Sequence, residues 1–421
     1  MQKPPPPERR CFVMRSSARA INCLAVLALV LTACGTSSTS NTSSGPVTLT
    51  MWAMGDEGDK LPTSDAMQAF KKANPNITVN VTAIPWGVAH DKLVTAVAGR
   101  QTPDLSLMGT TWMGEFGKIG VLDQVPSSVS KSDFYSGAWD AVVVNGKAVG
   151  VPWYVDTRTL FYRTDLAQKA GINSAPQTWN DLMKLAQAYK ASGSQYGIYL
   201  QSNDDQEWLP FLYSAGGDVM QNGKFTLDSQ ASVKSLTEWV KYFQQGLTPK
   251  SEAQGFDVTQ TFTSGATPMF ISGPWQISTL LKSDPQITGK WAVARVPKDQ
   301  SSTSWAGGGD LAVFKNSQHR DAAWKLVQFL AQREQQISWF KTINDLPAVK
   351  AAWQDPALSG DQNLKVYGDQ LTTTKAPPAI AEWTEIDKSI NDWLEKASAG
   401  QVTPAQAAAG MQQAATSLHK P

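Results

Sequence analysis

Apolar and polar residues alternate with the two-residue period of a β-strand at three places in the first part of the chain. These segments are Val47–Trp52, Ile77–Ile84 and Asp104–Met108. Leu61–Ala73 and His90–Ala98, which lie between them, carry the apolar spacing of helices. The order strand, helix, strand, helix, strand is typical of an open α/β sheet, so we predict that the three strands pair in parallel.

The same kinds of element return in looser form along the rest of the chain. Strands are predicted at Ala148–Trp153, Thr159–Tyr162, Gln195–Leu200, Pro268–Ile271, Ala292–Val296 and Leu311–Phe314. Helices are predicted at Leu182–Lys190, after Ser229, at Asp321–Arg333, at Ile380–Ala397 and from Pro404 onward. Two α/β lobes in one chain leave a cleft between them, and such clefts bind small ligands.

Residues 1–33 are predicted to be a secretory signal rather than part of the fold. A basic segment precedes the apolar run Ala20–Leu31, which is too short to span a bilayer. The run leads into Thr32-Ala33-Cys34-Gly35, which resembles a bacterial lipobox, so Cys34 is expected to be lipidated. Residues 34–45 are rich in Ser, Thr and Asn and are predicted to form a flexible tether. The sequence leaves open whether export is general or twin-arginine, and whether the chain starts at Met1 or Met14.

Composition excludes several classes of function. The 421 residues allow two or three domains, each large enough to bury a core. The 37 basic and 36 acidic residues nearly balance, whereas nucleic-acid-binding proteins usually carry a basic excess. Three Cys and three His leave little for a zinc site or a disulfide framework, and we expect no metal and no cofactor. The 16 Trp are many, and so many indoles either fill the cores or stack on a ligand.

Aromatic residues stand next to polar residues and glycines at several predicted strand ends. Examples are Trp153-Tyr154 before Asp156-Thr157-Arg158, the segment Gly273-Pro274-Trp275, and Trp305 before Gly307-Gly308-Gly309-Asp310. The apolar face of a pyranose packs on an indole, its hydroxyls donate to carboxylates, and Arg donates to it in a fixed fork. The pattern therefore favours a sugar site, and binding alone needs no proton transfer.

Other classes of function stay open on the residues alone. The sequence has no serine-hydrolase, phosphate-loop, dinucleotide or zinc-protease motif. A glycoside hydrolase needs only a pair of carboxylates, which two of Asp56, Glu57, Asp156 and Glu207 could supply. An adhesin with a flat aromatic stripe, or a receptor for a polyol or glycerophosphodiester, is a further alternative.

The motifs, taken in their order, resemble those of the extracellular solute-binding proteins of bacterial ABC importers, in the branch that binds sugars such as maltose and trehalose. The landmarks are Cys34, Pro103-Asp104, Gly120-Val121-Leu122, the segment from Gly150 to Arg163, Pro176-x-Thr178-Trp179, Gly216-Gly217, Phe262-x-x-Gly265, Gly273-Pro274-Trp275, Gly307-Gly308 and Pro347. The resemblance covers nearly the whole chain from Cys34. It implies an α/β, two-lobe, periplasmic-binding-protein-like (type II) fold, with a hinge between the lobes and a ligand cleft at their interface.

The resemblance also implies how the chain divides and what it does. Lobe 1 is expected at 46–155 and 308–355, and lobe 2 at 156–307 and 356–421. The implied function is a lipoprotein on the outer face of the cell membrane that captures a mono- or oligosaccharide, with a disaccharide favoured. It would pass the sugar to ABC permease transmembrane subunits that work with a cytoplasmic ATPase. We expect a monomer that is not an enzyme and binds no nucleic acid.

The resemblance finally implies a set of ligand contacts. The candidates are Asp56, Glu57, Thr111, Trp112, Asp156, Arg158, Trp208, Trp275, Gly308, Asp310 and Trp383. Thr111 and Trp112 stand where maltose binders carry Asp-Arg, which argues against maltose itself. Trp383 also fits the apolar stripe of its predicted helix, and Arg158 could instead form a hinge ion pair with Asp156. Trp86 and His90 are further candidates by position alone, and Gly307 to Gly309 suit either a hinge or close approach to a sugar.

Overall fold

The structure is a computed structural model that describes residues 45–252 and 255–419. The predicted signal, the lipidation site Cys34 and nearly all of the predicted tether lie outside the described residues. In the part of the chain that is described, no helix combines the length and the apolar character needed to cross a membrane.

Strands and helices alternate along the described chain. The strands are β1 Val47–Met54, β2 Ile77–Ile84, β3 Leu105–Gly109, β4 Val143–Val144, β5 Lys147–Ala148, β6 Val151–Thr157, β7 Thr159–Tyr162, β8 Met220–Gln221, β9 Lys224–Phe225, β10 Met269–Ser272, β11 Ala292–Ala294, β12 Ser304–Val313, β13 Leu346–Pro347 and β14 Thr374–Lys375. The helices are α1 Gly55–Lys60, α2 Asp65–Ala73, α3 Trp86–Ala98, α4 Met113–Ile119, α5 Ser136–Ala141, α6 Thr164–Lys169, α7 Trp179–Ala191, α8 Asp205–Ser214, α9 Gln230–Gln244, α10 Val258–Ser264, α11 Trp275–Ser283, α12 Arg320–Leu330, α13 Arg333–Ile343, α14 Pro356–Ser359, α15 Gln362–Leu371, α16 Trp383–Ser398 and α17 Pro404–Leu418.

Two sheets organise the fold into its two lobes. The larger has the strand order β13-β6-β12-β3-β1-β2, and β14 adds to β12. Its strands β2, β1 and β3 pair in parallel, as the alternation of strands and helices predicted. The smaller sheet has the order β10-β7-β11 and is antiparallel. The α/β fold with two lobes is thus confirmed, whereas the exact residue boundaries of the lobes stay a prediction.

The strands β6 and β12 connect the two sheets. They pair antiparallel, with Val155 opposite Gly308 and Asp156 opposite Gly307. One residue after its end, β6 is followed by β7, which belongs to the smaller sheet. Gly308 has a φ of +135°, and a Cβ there would collide with the carbonyl oxygen of Tyr154. Only glycine fits this crossing without strain, because an L side chain disfavours the conformation and no space exists for it.

Two hydrophobic cores cover the sheets, and the first of them also takes in Phe161, Phe270 and Val293 of the smaller sheet. Leu49, Leu107 and Val313 of the larger sheet have no exposed surface and pack with helices such as α2 and α12. The second core joins the smaller sheet to α7, α8, α9, α16 and α17. Helices α7 and α17 of this core begin at Thr178 and Thr403, which both form complete capping boxes.

Several predicted elements differ from the structure, three of them as follows. Gln195–Leu200 is not a strand: Tyr199 makes one isolated bridge to Phe270, and the Gly197 N–H donates to Leu247, in the turn after α9, at 2.9 Å. The helix predicted at Asp321–Arg333 ends three residues earlier, at Leu330, because Gln332 is extended, and Arg333 begins a second helix, α13. The strand predicted at Leu311–Phe314 begins seven residues earlier, at Ser304, since glycines concealed its alternation.

The crossing of β6 and β12 gives a first prediction, for Gly308→Ala. The left-handed conformation should destabilise the fold by about 1–2 kcal/mol once Gly308 is replaced. The collision of the new Cβ with Tyr154 should add about 1–3 kcal/mol to that loss. Gly171→Ala is the matched control, because Gly171 has a φ of +79° but nothing within 4 Å of its Cβ position. Urea unfolding would show a larger loss for Gly308→Ala, and equal losses would contradict the packing role.

Candidate functional site

Two adjoining cavities hold five of the eleven residues expected to contact a ligand. The first, of about 440 Å³, is named here the Trp86 cavity. It is lined by Gly55, Asp56, Glu57, Trp86, Tyr154, Val155, Asp156, Pro274, Trp275, Ile343, Asn344, Asp345 and Leu346. These residues follow strands β1 and β2 of the larger sheet, lie on the crossing strand β6, lie where α13 leads into β13, or follow β10 of the smaller sheet. The cavity therefore lies between the two lobes.

The second cavity, of about 570 Å³, is named here the Arg158 cavity. It is lined by Arg158, Tyr199, Gln201, Asp204, Glu207, Glu252, Phe256, Asp257, Val258, Thr259, Phe270, Ile271, Ser272, Trp275 and Gln276. Trp275 lines both cavities, so they adjoin at this indole. Each volume falls within the range of roughly 300–1,000 Å³ that is usual for small-molecule sites.

Two tryptophans expose their rings at the Trp86 cavity. Trp86 is 36% exposed and Trp275 is 44% exposed, whereas most indoles of the described chain are buried. Trp275 begins α11 directly after Pro274. A Cβ at Gly273 would collide with the Trp275 ring, so the missing side chain at Gly273 leaves the space that the indole occupies. Exposed indoles that face one cavity are available for stacking on a ligand.

Arg158 joins the crossing strand to the Trp275 ring. Its guanidinium carbon lies 5.0 Å from the ring centre of Trp275 and 4.7 Å from that of Trp305. Its Nη1 lies 3.3 Å from Asp156 Oδ1, and its Nη2 donates to Gln206. Burial raises the pKa of Asp156, and the positive charge of Arg158 opposes that rise. The ion pair and both cation–π contacts hold Arg158 in place beneath the stacking ring.

Buried carboxylates line the Trp86 cavity. Glu57 is only 7% exposed, and burial raises its pKa even though the Tyr154 hydroxyl and the Trp86 indole hydrogen-bond to it. Asp345 accepts from Trp339 Nε1 at 3.0 Å, and burial together with the charge of Glu57 raises its pKa well above the usual value. Acids held in this way bind protons or donors more readily than acids in water.

Hydrogen-bond acceptors also dominate the Arg158 cavity. Glu207 is 6% exposed, accepts from the backbone N–H of Gln201 at 2.9 Å, and has a pKa raised well above normal by burial. Gln276 is 8% exposed, and its Oε1 has no partner. Asp204 caps α8, because its Oδ1 accepts from Gln206 N–H at 2.8 Å. A buried acceptor without a partner is costly, which suits a site whose donor arrives with the ligand.

Five of the expected contact residues line these cavities. They are Asp56, Glu57, Asp156, Arg158 and Trp275. Trp86, suggested by its position alone, lines the Trp86 cavity as well. His90 instead bonds Glu115 at 2.8 Å and lies behind Trp112, with the two ring centres 5.4 Å apart. A direct contact of any of these residues with a ligand stays a prediction.

Trp208 and Trp383 do not lie where we expected. Trp208 has no exposed surface and Trp383 is 2% exposed, and both belong to the second core. Trp208 lies within α8, whose segment Trp208–Tyr213 is buried on every side. Trp383 begins α16 on its apolar stripe with Ile386 and Ile390. Both indoles are core residues in this structure, because the helices that carry them turn those positions inward.

Four further expected contacts line neither cavity. Thr111 and Trp112 are half-buried, and the Trp112 ring centre lies 5.5 Å from that of Trp86, so Trp112 supports Trp86 from behind. Gly308 makes its close approach to Tyr154 of the neighbouring strand rather than to a cavity. Asp310 is 1% exposed and lies at the bulge between β12 and β6. These residues build the hinge and the rear of the site.

Sequence reasoning missed Asn344, Asp345, Tyr199 and Gln276. Asn344 ends α13 in the left-handed conformation, with a φ of 67°, and this turn brings Asp345 to the Trp86 cavity. An Asn-Asp pair after an apolar helix is a usable signal for such a turn. Tyr199 and Gln276 carry no local signal, because only the packing of distant segments brings them together.

A metal site is not part of this arrangement. Among residues 45–252 and 255–419, no group of three or more His, Cys, Asp or Glu side chains is placed to hold a metal ion.

Comparison with known proteins gives the family. Residues 56–337 match the family of bacterial extracellular solute-binding proteins. In solved structures, the chain is similar to the sugar-binding protein MalE of Xanthomonas citri, with a TM-score of 0.82 and 32% identity, over 87% of this chain and 95% of that one. The chain therefore belongs to the bacterial extracellular solute-binding proteins, and its fold is theirs.

Two curated relatives are named after the oligosaccharides that they bind. A galactooligosaccharide-binding protein of Bacillus subtilis is 25% identical, over 91% of this chain and 92% of the relative. A maltooligosaccharide ABC transporter solute-binding lipoprotein of Streptococcus pneumoniae is 24% identical, over 92% of this chain and 93% of the relative. Both similarities extend across both lobes.

The buried carboxyl of Asp310 gives a prediction for stability against pH. Burial raises its pKa from 3.8 to about 7, and its Oδ2 has no partner. The folded state therefore retains this proton while the unfolded chain loses it, so the group destabilises the fold increasingly as pH rises from 3.8 to about 7. The Asn side chain of Asp310→Asn stays neutral at every pH. The difference in free energy of unfolding between this variant and the wild type should therefore grow in favour of the variant as pH rises through that window, and should be constant above it.

Urea unfolding of both proteins at several pH values would measure this difference. Asp321→Asn, at an exposed position near the start of α12, corrects for the loss of a surface carboxylate. A difference between Asp310→Asn and wild type that does not change with pH would show that Asp310 is not a buried acid of this kind.

Proposed function

We propose that this protein is the substrate-binding lipoprotein of an ABC sugar importer. It captures a mono- or oligosaccharide, with a disaccharide favoured, between its lobes and delivers it to the transmembrane subunits of a permease. The observation that carries the proposal is the pair of exposed indoles, Trp86 and Trp275, in one interlobe cavity rimmed by carboxylates. Indoles take the apolar face of a pyranose, and carboxylates accept from its hydroxyls.

The relatives support both the ligand class and the transport role. The names of the Xanthomonas citri, Bacillus subtilis and Streptococcus pneumoniae proteins all refer to binding of sugars or oligosaccharides. The Streptococcus pneumoniae relative is named as an ABC transporter lipoprotein, which supports a lipid anchor at Cys34 and a position outside the cytoplasm. The permease partner, with its cytoplasmic ATPase, follows from the same role, and the protein acts as a monomer.

The mechanism uses binding and closure without covalent chemistry. The sugar ring stacks on Trp275, which Arg158 and the neighbouring glycine hold in place. Residues of both sheets line the Trp86 cavity, so a ligand that contacts both sides stabilises the closed arrangement of the lobes. Closure is then a population shift driven by the difference in affinity between open and closed states.

The alternatives have less support. A glycoside hydrolase would need catalytic carboxylates, but the named relatives are binding proteins and not enzymes. A glycerophosphodiester would need basic residues to offset its charge, and among the described residues that line the Trp86 cavity none is basic.

A thermal-shift screen tests the proposal. The chain from Thr36 to Pro421 would be heated with a panel of sugars and polyols, each at a high concentration. A ligand present at 100 times its dissociation constant adds about 2.7 kcal/mol of stability, which raises the unfolding temperature. A shift with sugars supports the receptor, and a folded protein that responds to no sugar of one to several units contradicts it.

Trp275→Ala tests the stacking surface. Loss of the indole should weaken binding of a sugar hit by about 1–3 kcal/mol, as for other ring-stacking contacts. Trp393→Ala is the control, because Trp393 is half-buried on α16 and lines neither cavity. Isothermal titration would measure both affinities. Equal effects of the two substitutions would remove Trp275 from the site.

A further inference from the structure

The charges around the Trp86 cavity are of one sign. Four carboxylates line it, from Asp56, Glu57, Asp156 and Asp345, and among the described residues that line it none is basic. The guanidinium of Arg158 lines the adjoining Arg158 cavity instead, where its Nη1 lies 3.3 Å from Asp156 Oδ1 and pairs with that one carboxylate. Three aromatic rings, those of Trp86, Tyr154 and Trp275, also line this cavity.

We propose that the ligand carries a positively charged amino group, as an aminated sugar or aminocyclitol does, and that this ammonium group lies in the Trp86 cavity. The inference rests on the proposed function and specifies its substrate class. An ammonium group brings donors to the carboxylates and a positive charge to the indole faces.

A neutral sugar would bring no positive charge to the acids of this cavity. Its hydroxyls can donate to Glu57 and Asp345, but they carry no charge that would stabilise the ionised forms of these two buried acids, whose pKa values are raised. Carboxylates that share a desolvated site repel each other, and an opposite charge within about 4–6 Å reverses that cost. A phosphate would add to the repulsion, and no group of described acids is placed to hold a metal ion instead.

The adjoining Arg158 cavity independently indicates a donor-rich ligand. Gln276 is nine-tenths buried at its wall, and its Oε1 has no partner within the protein. Glu207, equally buried, lies at the same cavity. A ligand that extends past Trp275 would bring donors to both side chains, which accords with a sugar unit that carries several hydroxyl or amino groups.

Matched sugars that differ only by the amino group test the inference. The pairs are glucose and glucosamine, galactose and galactosamine, and cellobiose and its 2-amino equivalent, the glucosamine dimer. N,N′-diacetylchitobiose adds a member of the last set whose nitrogen is uncharged. Isothermal titration slightly below neutral pH, at low salt, measures each affinity. The aminated member of at least one pair should bind, and at least about tenfold more tightly than its neutral partner, a difference of about 1.4 kcal/mol.

Two variants locate the effect. Glu57→Gln removes one charge from the cavity without changing the shape of the side chain, and the ratio of aminated to neutral affinity should fall several-fold. Asp59→Asn is the matched control, because Asp59 is an exposed residue of the same helix α1 and does not line the cavity. Its ratio should equal that of the wild type. If Glu57→Gln does not fold, Asp345→Asn gives the same readout, since its side chain still accepts from Trp339.

The outcomes separate this inference from the proposed function. Neutral sugars that bind as tightly as their aminated partners, or more tightly, overturn the inference and leave the sugar receptor standing. Binding of neutral sugars without binding of any aminated one overturns it in the same way. If no sugar of either kind binds the folded protein, both the inference and the proposed function fail. An amine preference that Glu57→Gln and Asp59→Asn reduce equally contradicts the placement in the Trp86 cavity.

Discussion

The contact on which the site depends most is that of Arg158 with its surroundings. A single guanidinium touches the crossing strand through Asp156, helix α8 through Gln206, and the rings of Trp275 and Trp305. These groups come from separate stretches of the chain, so the arginine fixes the stacking surface relative to the hinge. Because a guanidinium is planar and always charged, it can bond in its plane and stack on both faces, which a lysine cannot do. Arg158 directly follows the last residue of β6, so the end of this strand helps to set the position of Trp275.

The negative charges of the site have a related origin. Several of the acids begin helices or follow strands, where local structure favours them: Asp56 and Glu57 lie in the first turn of α1, and Asp204 caps α8. Folding then brings these separate ends to two neighbouring cavities. Helix termini and one arginine offset part of the charge, and the remainder is left for a ligand. This makes the electrostatics of the cavities a consequence of topology as much as of the individual residues.

Periodicity predicted the elements well where a strand or helix carries a full pattern. The strand Ile77–Ile84 and the capped helix after Ser229 lie where predicted, because alternation and capping are local properties. The residues of the site were predicted only in part, because whether a side chain reaches the cavity depends on packing as well as on its neighbours in the sequence. Trp275 and Trp208 both stand next to polar residues in the sequence, yet one is exposed and the other is in the core. Proline and glycine before Trp275 place it at a bend, whereas Trp208 lies inside a helix that packs on all sides. No pattern within a few residues distinguishes Tyr199 or Gln276, since contacts between distant segments bring both to the Arg158 cavity.

The same constraints suggest why closure should depend on ligand. The Trp86 cavity collects carboxylates beside the crossing strand, and the indole of Trp275 approaches them from the smaller sheet. Bringing the lobes together around an empty cavity would desolvate those acids further without giving them a partner, which is unfavourable. A ligand that supplies donors and an apolar face removes that cost and adds stacking on Trp275. The buried acids would therefore oppose closure of the empty protein and favour closure of the ligand-bound protein. The closed form that meets the permease would then be mainly the form that holds ligand.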